Sequence, residues 1–234
     1  FVSMKDNDTC VDIGGNDGTL LKTFRDNAKV KLDVINVDPS ENIGKISVAA
    51  GIDAREIYLS GDASVQNARN DLVRLALKNG FDDLVFIDAD QEWEPTDFIN
   101  LLSYDVDCVG AAIRKKTDDE VLFNVKARGG IGSFVRHPRY DLLTAPDMAL
   151  GTGFLRFSRH ALQALWDDAE KYSVMGGEQA AWIFHIAPQN GELVGEDVFV
   201  SGKLRGLGIQ TWLDPSITCG HIGLKRYAGN FGDW

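Results

Sequence analysis

The segment Phe86-Ile87-Asp88-Ala89-Asp90-Gln91 carries two carboxylates, two residues apart, just where an apolar run ends. If the extended conformation of that run persists, Asp88 and Asp90 point to one side of it. Like charges held that close repel unless a proton or a cation stands between them. A hard divalent cation bridging both to a diphosphate answers the repulsion directly. Two solvated loop acids give the same pattern, so the weight of the pair depends on what the rest of the chain brings to it.

Four further groups are candidates. Asp62 to Asn70 opens a predicted helix, where free N–H groups favour anions or polar bases. Arg69 there is suited to lie beside a nucleotide, and Asn70 to hydrogen-bond its base or ribose. A capped helix with an ordinary exposed face reads the same way. Gly151-Thr152-Gly153-Phe154 permits close backbone approach to a ligand. Glu196 and Asp197 follow Gly195 at another predicted helix start, where a catalytic base and an acid favoured by the helix dipole look alike. His221 sits between Gly220 and Ile222, after a predicted strand. An imidazole with two carboxylates suits Mn²⁺ better than Mg²⁺, although a lone histidine also serves structure. Lys225, Arg226 and Tyr227 behind it are placed to meet phosphate charge.

These residues need a scaffold. Apolar, β-rich runs predict strands at 9–13, 32–37, 57–59, 84–87, 107–112, 154–157 and 210–213. Helical periodicity and end signals predict helices at 19–27, from Val65 to a stop at Gly80, from Pro95, from Ser158 to Leu165, and from Glu196 to Arg205. Strand–helix alternation implies an α/β fold: a mostly parallel sheet flanked by helices, with a less regular second half. Open sheets of this kind place ligands at the C-terminal ends of their strands, where Asp88 and Asp90 fall. No repeat or linker interrupts the chain, so one domain over 1–234 is expected.

Bulk properties narrow the function classes. At 234 residues, with 44% apolar and 25% charged residues, the chain has a globular composition. A net charge of −11 and 24 scattered basic residues argue against nucleic acid as a partner. Cys10, Cys108 and Cys219 are too few for a disulfide framework and read as reduced residues in buried strands. No apolar run approaches the roughly 20 residues of a membrane span, and a cytoplasmic protein is expected.

From about residue 55 onward, five motifs occur in order: Ala68-Arg69-Asn70, Phe86 to Asp90, Gly151 to Phe154, Gly195-Glu196-Asp197 and Gly220-His221. The series resembles the GT-A glycosyltransferases, notably compact bacterial and phage-type ones. That resemblance implies a Rossmann-like GT-A domain using a nucleotide-sugar donor and an acceptor that is a glycan, a lipid-linked sugar or a protein. It implies Mn²⁺ or Mg²⁺ held by Asp88, Asp90 and His221 on the donor diphosphate. Arg69, Asn70, Asp88, Lys116 and Gly153 would line the donor pocket. Asp197, with Glu196 beside it, would serve the acceptor hydroxyl.

The N-terminus points elsewhere. Val11-Asp12-Ile13-Gly14-Gly15-Asn16-Asp17-Gly18 resembles the first motif of S-adenosylmethionine-dependent sugar C-methyltransferases. Gly14, Asn16 and Gly18 would then turn against the cofactor's methionine part, and Asp38 would take its ribose hydroxyls. Residues 1–52 are therefore an atypical start. Methyl transfer is one alternative, and a catalytically inactive nucleotide-sugar-binding module is another.

Overall fold

The computed structural model describes residues 9–13, 33–37, 64–88, 90–174, 176–189, 191–223 and 226–233. The glycines of the methyltransferase-like motif, Asp38, Lys225, the helix expected at 19–27 and the strand expected at 57–59 lie outside them.

Strands β1 (Thr9–Ile13) and β2 (Asp33–Val37) pair in parallel. Helix α1 (Val65–Asn79) buries Leu72, Val73 and Ala76 and stops at Gly80. The φ of 80° at Gly80 makes the left-handed cap that glycine accepts most readily. β3 (Asp83–Ile87) is buried along its whole length, as a strand covered on both faces must be. After it come β4 (Gln91–Glu92) and α2 (Pro95–Ser103), whose first turn combines a proline with a Glu94–Asp97 capping box. β5 (Cys108–Ile113) is again fully buried. Short strands β6 (Val125–Lys126), β7 (Val135–Arg136), β8 (Leu143–Thr144) and β9 (Ala149–Leu150) lead to β10 (Phe154–Ser158). The Ser158 hydroxyl caps α3 (Arg159–Asp168) by accepting from the Ala161 N–H. Two hairpins follow, β11 (Lys171–Ser173) with β12 (Gln179–Ala181) and β13 (Ala187–Gln189) with β14 (Glu192–Val194). Helix α4 (Glu196–Gly206), the long β15 (Thr211–Ile222) and β16 (Arg226–Ala228) complete the series.

The principal sheet runs β3-β10-β5-β15-β8-β7. β10 is antiparallel to both β3 and β5, so those two run in the same direction, and β15 lies parallel to β5. The expected parallel framework is present, with β10 inserted against it, which makes the sheet mixed within an α/β fold. Alternate residues of β3 feed two cores. Leu84 and Phe86 join residues from α1, α3 and α4 on one face, while Val85 and Ile87 meet Leu101 of α2 and Trp93 on the other. Phe86 packs edge-on against Phe157 and Phe184 in the first core.

Two elements differ from expectation. The strand predicted at 210–213 is only the start of β15, which continues through Pro215 to Ile222. A register shift between Asp214 and Cys219 absorbs the proline, which from sequence alone reads as a strand end. The hairpins of 171–194 were not expected, because strands of three residues are too short to show a period. Cys108 and Cys219 are buried and unpaired, and burial pushes both thiols up to about 12, which leaves them inert. No helix among the described residues is long and apolar enough to cross a membrane.

Candidate functional site

β15 returns to the end of β3 by way of β4. Gly220 pairs with Glu92 and His221 with Gln91, and the Ile222 N–H donates to the Asp90 carbonyl at 2.7 Å. This backbone stitch places His221 beside Asp90 across a sequence separation of 131. A β-carbon on Gly220 would displace the exposed end of the Glu92 side chain and lie 3.0 Å from the Glu92 β-carbon.

The chain does not stay extended through the two acids. The Gln91 N–H donates to the Asp88 carbonyl at 3.0 Å and closes a turn. The carboxylates meet different partners, and the extended conformation on which a shared side depended does not persist. Asp88 Oδ1 accepts from Arg69 Nη2 at 2.7 Å, and Arg69 Nη1 donates to Glu196 Oε1 at 2.8 Å. One guanidinium, 2% exposed, thus ties α1, the end of β3 and the start of α4 together. The Gly153 carbonyl accepts the Asp88 N–H at 2.9 Å. A β-carbon on Gly153 would lie 2.9 Å from Asp88 Oδ2 and 2.6 Å from Ile113 Cδ1, so glycine is what lets β10 approach the acid.

Asp90 faces a second group. Its Oδ2 accepts from Lys116 Nζ at 2.7 Å and lies 3.1 Å from His221 Nε2. His221 Nδ1 is 2.8 Å from the Arg114 carbonyl oxygen. A carbonyl only accepts, so Nδ1 carries the hydrogen. In neutral imidazole Nε2 then turns a lone pair toward a carboxylate oxygen, an arrangement that calls for a proton or a cation between them. A ring held through its other N–H by a backbone carbonyl is the usual support of a metal-ligating histidine. Partial burial pushes the Asp90 carboxyl up, but hydrogen bonds from Lys116 and Gln91, with the positive charge that His221 carries when protonated and that of Lys116, outweigh it and hold it below the usual aspartate value.

Asp90 and His221 thus bring together two side chains of the types that ligate divalent cations, with the Lys116 ammonium on the same carboxylate oxygen. The structure does not gather Asp88 with them: among the described residues, no three His, Cys, Asp or Glu side chains form a metal-holding group.

Glu196 and Asp197 have separated roles. Glu196 is engaged by Arg69, whereas Asp197 Oδ1 accepts from the Val198 N–H at 2.7 Å in the first turn of α4. Burial raises the Asp197 carboxyl above its ordinary value despite that hydrogen bond, and the neighbouring Glu196 charge adds to the rise. A raised carboxylate is the better proton acceptor.

Asn70 corrects a sequence expectation. It is 1% exposed, its Nδ2 donates to the Phe184 carbonyl, and its Oδ1 accepts from the N–H groups of Ile183 and Phe184. Its amide clamps that segment rather than facing a base or ribose. Sequence reasoning also missed Arg114, whose contribution to His221 is a backbone carbonyl and leaves no trace in residue type.

No protein family matches the sequence, and no curated protein does. Among solved structures, the chain path is similar to that of mannose-1-phosphate geranyltransferase from Thermus thermophilus, at 13% identity over 97% of this chain and 77% of that one, with a TM-score of 0.47. It is also similar to CMP:2-keto-3-deoxy-manno-octonic acid synthetase complexed with CTP, at 12% identity over 90% and 89%, with a TM-score of 0.49. The inositol-1-phosphate CTP transferase from T. maritima gives 10% identity over 95% and 91%, with a TM-score of 0.49.

Proposed function

We propose that this chain transfers a sugar from a nucleoside-diphosphate sugar to an acceptor hydroxyl. The observation that carries the proposal is the Asp90–His221–Lys116 group, assembled at the C-terminal end of β3 with an ammonium and a metal-type donor pair together. When bound there, with Asp88 as the further ligand that the resemblance implies, Mn²⁺ or Mg²⁺ would supply Lewis-acid neutralisation of diphosphate charge.

The chain's own residues do the rest. Lys116 is 35% exposed and held by an ion pair at the surface, so its ammonium can pass from Asp90 to an incoming phosphate. The bond from the anomeric carbon to the diphosphate oxygen breaks, its electron pair leaves with the diphosphate, and Lys116 meets the charge that develops. The acceptor oxygen forms the new bond to that carbon. In an inverting transfer Asp197 takes its proton. Arg69 fixes Glu196 so that the start of α4, and with it Asp197, keeps its place.

The test is a thermal-shift panel of nucleotide sugars, nucleoside diphosphates and S-adenosylmethionine, with and without Mn²⁺. Stabilisation by a nucleotide sugar, enlarged by Mn²⁺, is the expected result. Stabilisation by S-adenosylmethionine alone would move the assignment to methyl transfer, and no response to any nucleotide sugar would sink the proposal.

A further inference from the structure

A cavity of about 480 Å³ lies between the first turns of α1 and the segment after β12. Gln66, Asn67, Tyr172, Trp182, His185 and Ile186 are among the residues that line it. It shares no residue with the Asp90–His221–Lys116 group. Its wall carries two half-exposed apolar side chains, Trp182 at 50% and Ile186 at 49%, which is unusual for residues of that size.

The wall is built rather than loose. The Asn70 amide clamps the Ile183–Phe184 backbone. The Trp182 and His185 rings meet at a centroid distance of 5.4 Å, and the His185 ring lies tilted by 48° against Phe199 of α4 at 3.6 Å. Tyr172 approaches Trp182 edge-on at 6.4 Å. His185 Nδ1 is buried without a hydrogen-bond partner in the structure described, a polar atom on a residue that faces the cavity. Burial also holds the imidazole below its usual value, so it is neutral at physiological pH.

Through His185, which packs on Phe199, the cavity lies close to the start of α4, where the transfer reading puts Asp197 at the acceptor hydroxyl. Gln66 is one helical turn before Arg69 on α1, and Phe199 is one turn after Glu196 on α4, so the cavity flanks the Arg69–Glu196 pair. Chemistry narrows the occupant. The lining side chains include no Lys, Arg, Asp or Glu, and the first-turn N–H groups that the start of α1 brings to the cavity can donate to hydroxyl or ring oxygens. Aromatic faces beside side-chain amides match a ring with one apolar face and a polar edge of hydroxyls.

We infer that this cavity is an acceptor subsite, and that the acceptor is a glycan presenting a neutral pyranose ring to Trp182. The word acceptor rests on the transfer reading above; the binding of the ring does not.

The experiment uses the full chain and a probe set of methyl β-glucoside, methyl β-galactoside, methyl α-mannoside, cellobiose and lactose. Tryptophan fluorescence and saturation-transfer NMR follow binding, and nucleoside diphosphates with Mn²⁺ are titrated in parallel. At least one glycoside is expected to saturate the protein. Trp182→Ala should weaken it about tenfold, the loss of one stacked aromatic face, while Trp182→Phe keeps most of the affinity. Nucleoside diphosphate affinity should be unchanged in both variants, and the exposure of Trp182 makes both expected to fold, which a melting curve checks. The inference is overturned if no glycoside binds, if Trp182→Ala binds like the parent, or if free nucleosides displace the glycoside. Diphosphate binding without glycoside binding would remove this inference alone. Glycoside binding without diphosphate binding would support the cavity and remove the transfer reading.

Discussion

Asp88 and Asp90 are neighbours in sequence and close in exposure, 37% against 43%, yet they meet different partners. Asp88 is paired with a guanidinium whose side chain is 3% exposed and which also holds Glu196. Asp90 is 43% exposed and meets Lys116 at 35% and His221 at 22%. On the Asp88 side one buried guanidinium joins three elements, while the acids it holds keep some contact with water, Asp88 at 37% and Glu196 at 19%. The open side is made of groups that water reaches, and such groups exchange partners at little cost. The difference teaches that two acids of one motif can be engaged differently: Asp88 by a buried cation that ties elements together, Asp90 by partly exposed groups.

Removing the cation from each side should break or confirm this contrast. Arg69→Met leaves Asp88 and Glu196 without their shared partner and should cost about 3 kcal/mol in urea unfolding. Lys116→Met on the open side should cost less than about 1 kcal/mol. Equal losses would mean that the two sides do not differ as described.

The next largest effect separates the two acids of α4. Asp197→Asn should lower turnover about a hundredfold while leaving donor affinity intact. Glu196→Gln should instead lose mainly stability, because it weakens the Arg69 pair. Parental turnover in Asp197→Asn, with a large loss in Glu196→Gln, would pass the role of base to Glu196.

A smaller effect lies in the pH dependence. Asp197 titrates above the ordinary 3.8 of an aspartate. Between 3.8 and its raised value, the folded protein keeps a proton that the unfolded chain has released. Its contribution to stability is therefore present at low pH and is lost as pH rises through that window. Turnover should rise over the same window as the base deprotonates. Asp197→Asn should flatten the stability change, which denaturant midpoints across the acid range would show.

Much of the frame is legible in the residues. Gly80 as a stop, Pro95 as a first helical residue and Ser158 as a cap announce themselves, because each acts within a few residues of its own position. The pairing of Asp90 with His221 was foreseeable only as a set of candidates. Its geometry depends on β15 passing through Pro215 and joining β4, and no local pattern encodes that. The different partners of Asp88 and Asp90 were hidden for a related reason: one turn hydrogen bond, from the Gln91 N–H to the Asp88 carbonyl, ends the extended run at the two acids. The Trp182 wall escaped notice because its hairpins are too short to carry a period.

The most direct test of the account is calorimetric titration of UDP, GDP, ADP, CDP and dTDP into the parent, Asp90→Asn and His221→Ala, each with and without Mn²⁺. The account predicts that one nucleoside diphosphate binds the parent in a Mn²⁺-dependent way, and that both variants lose at least about tenfold in affinity with unchanged unfolding midpoints. Parent-like, Mn²⁺-dependent binding in both variants would contradict it.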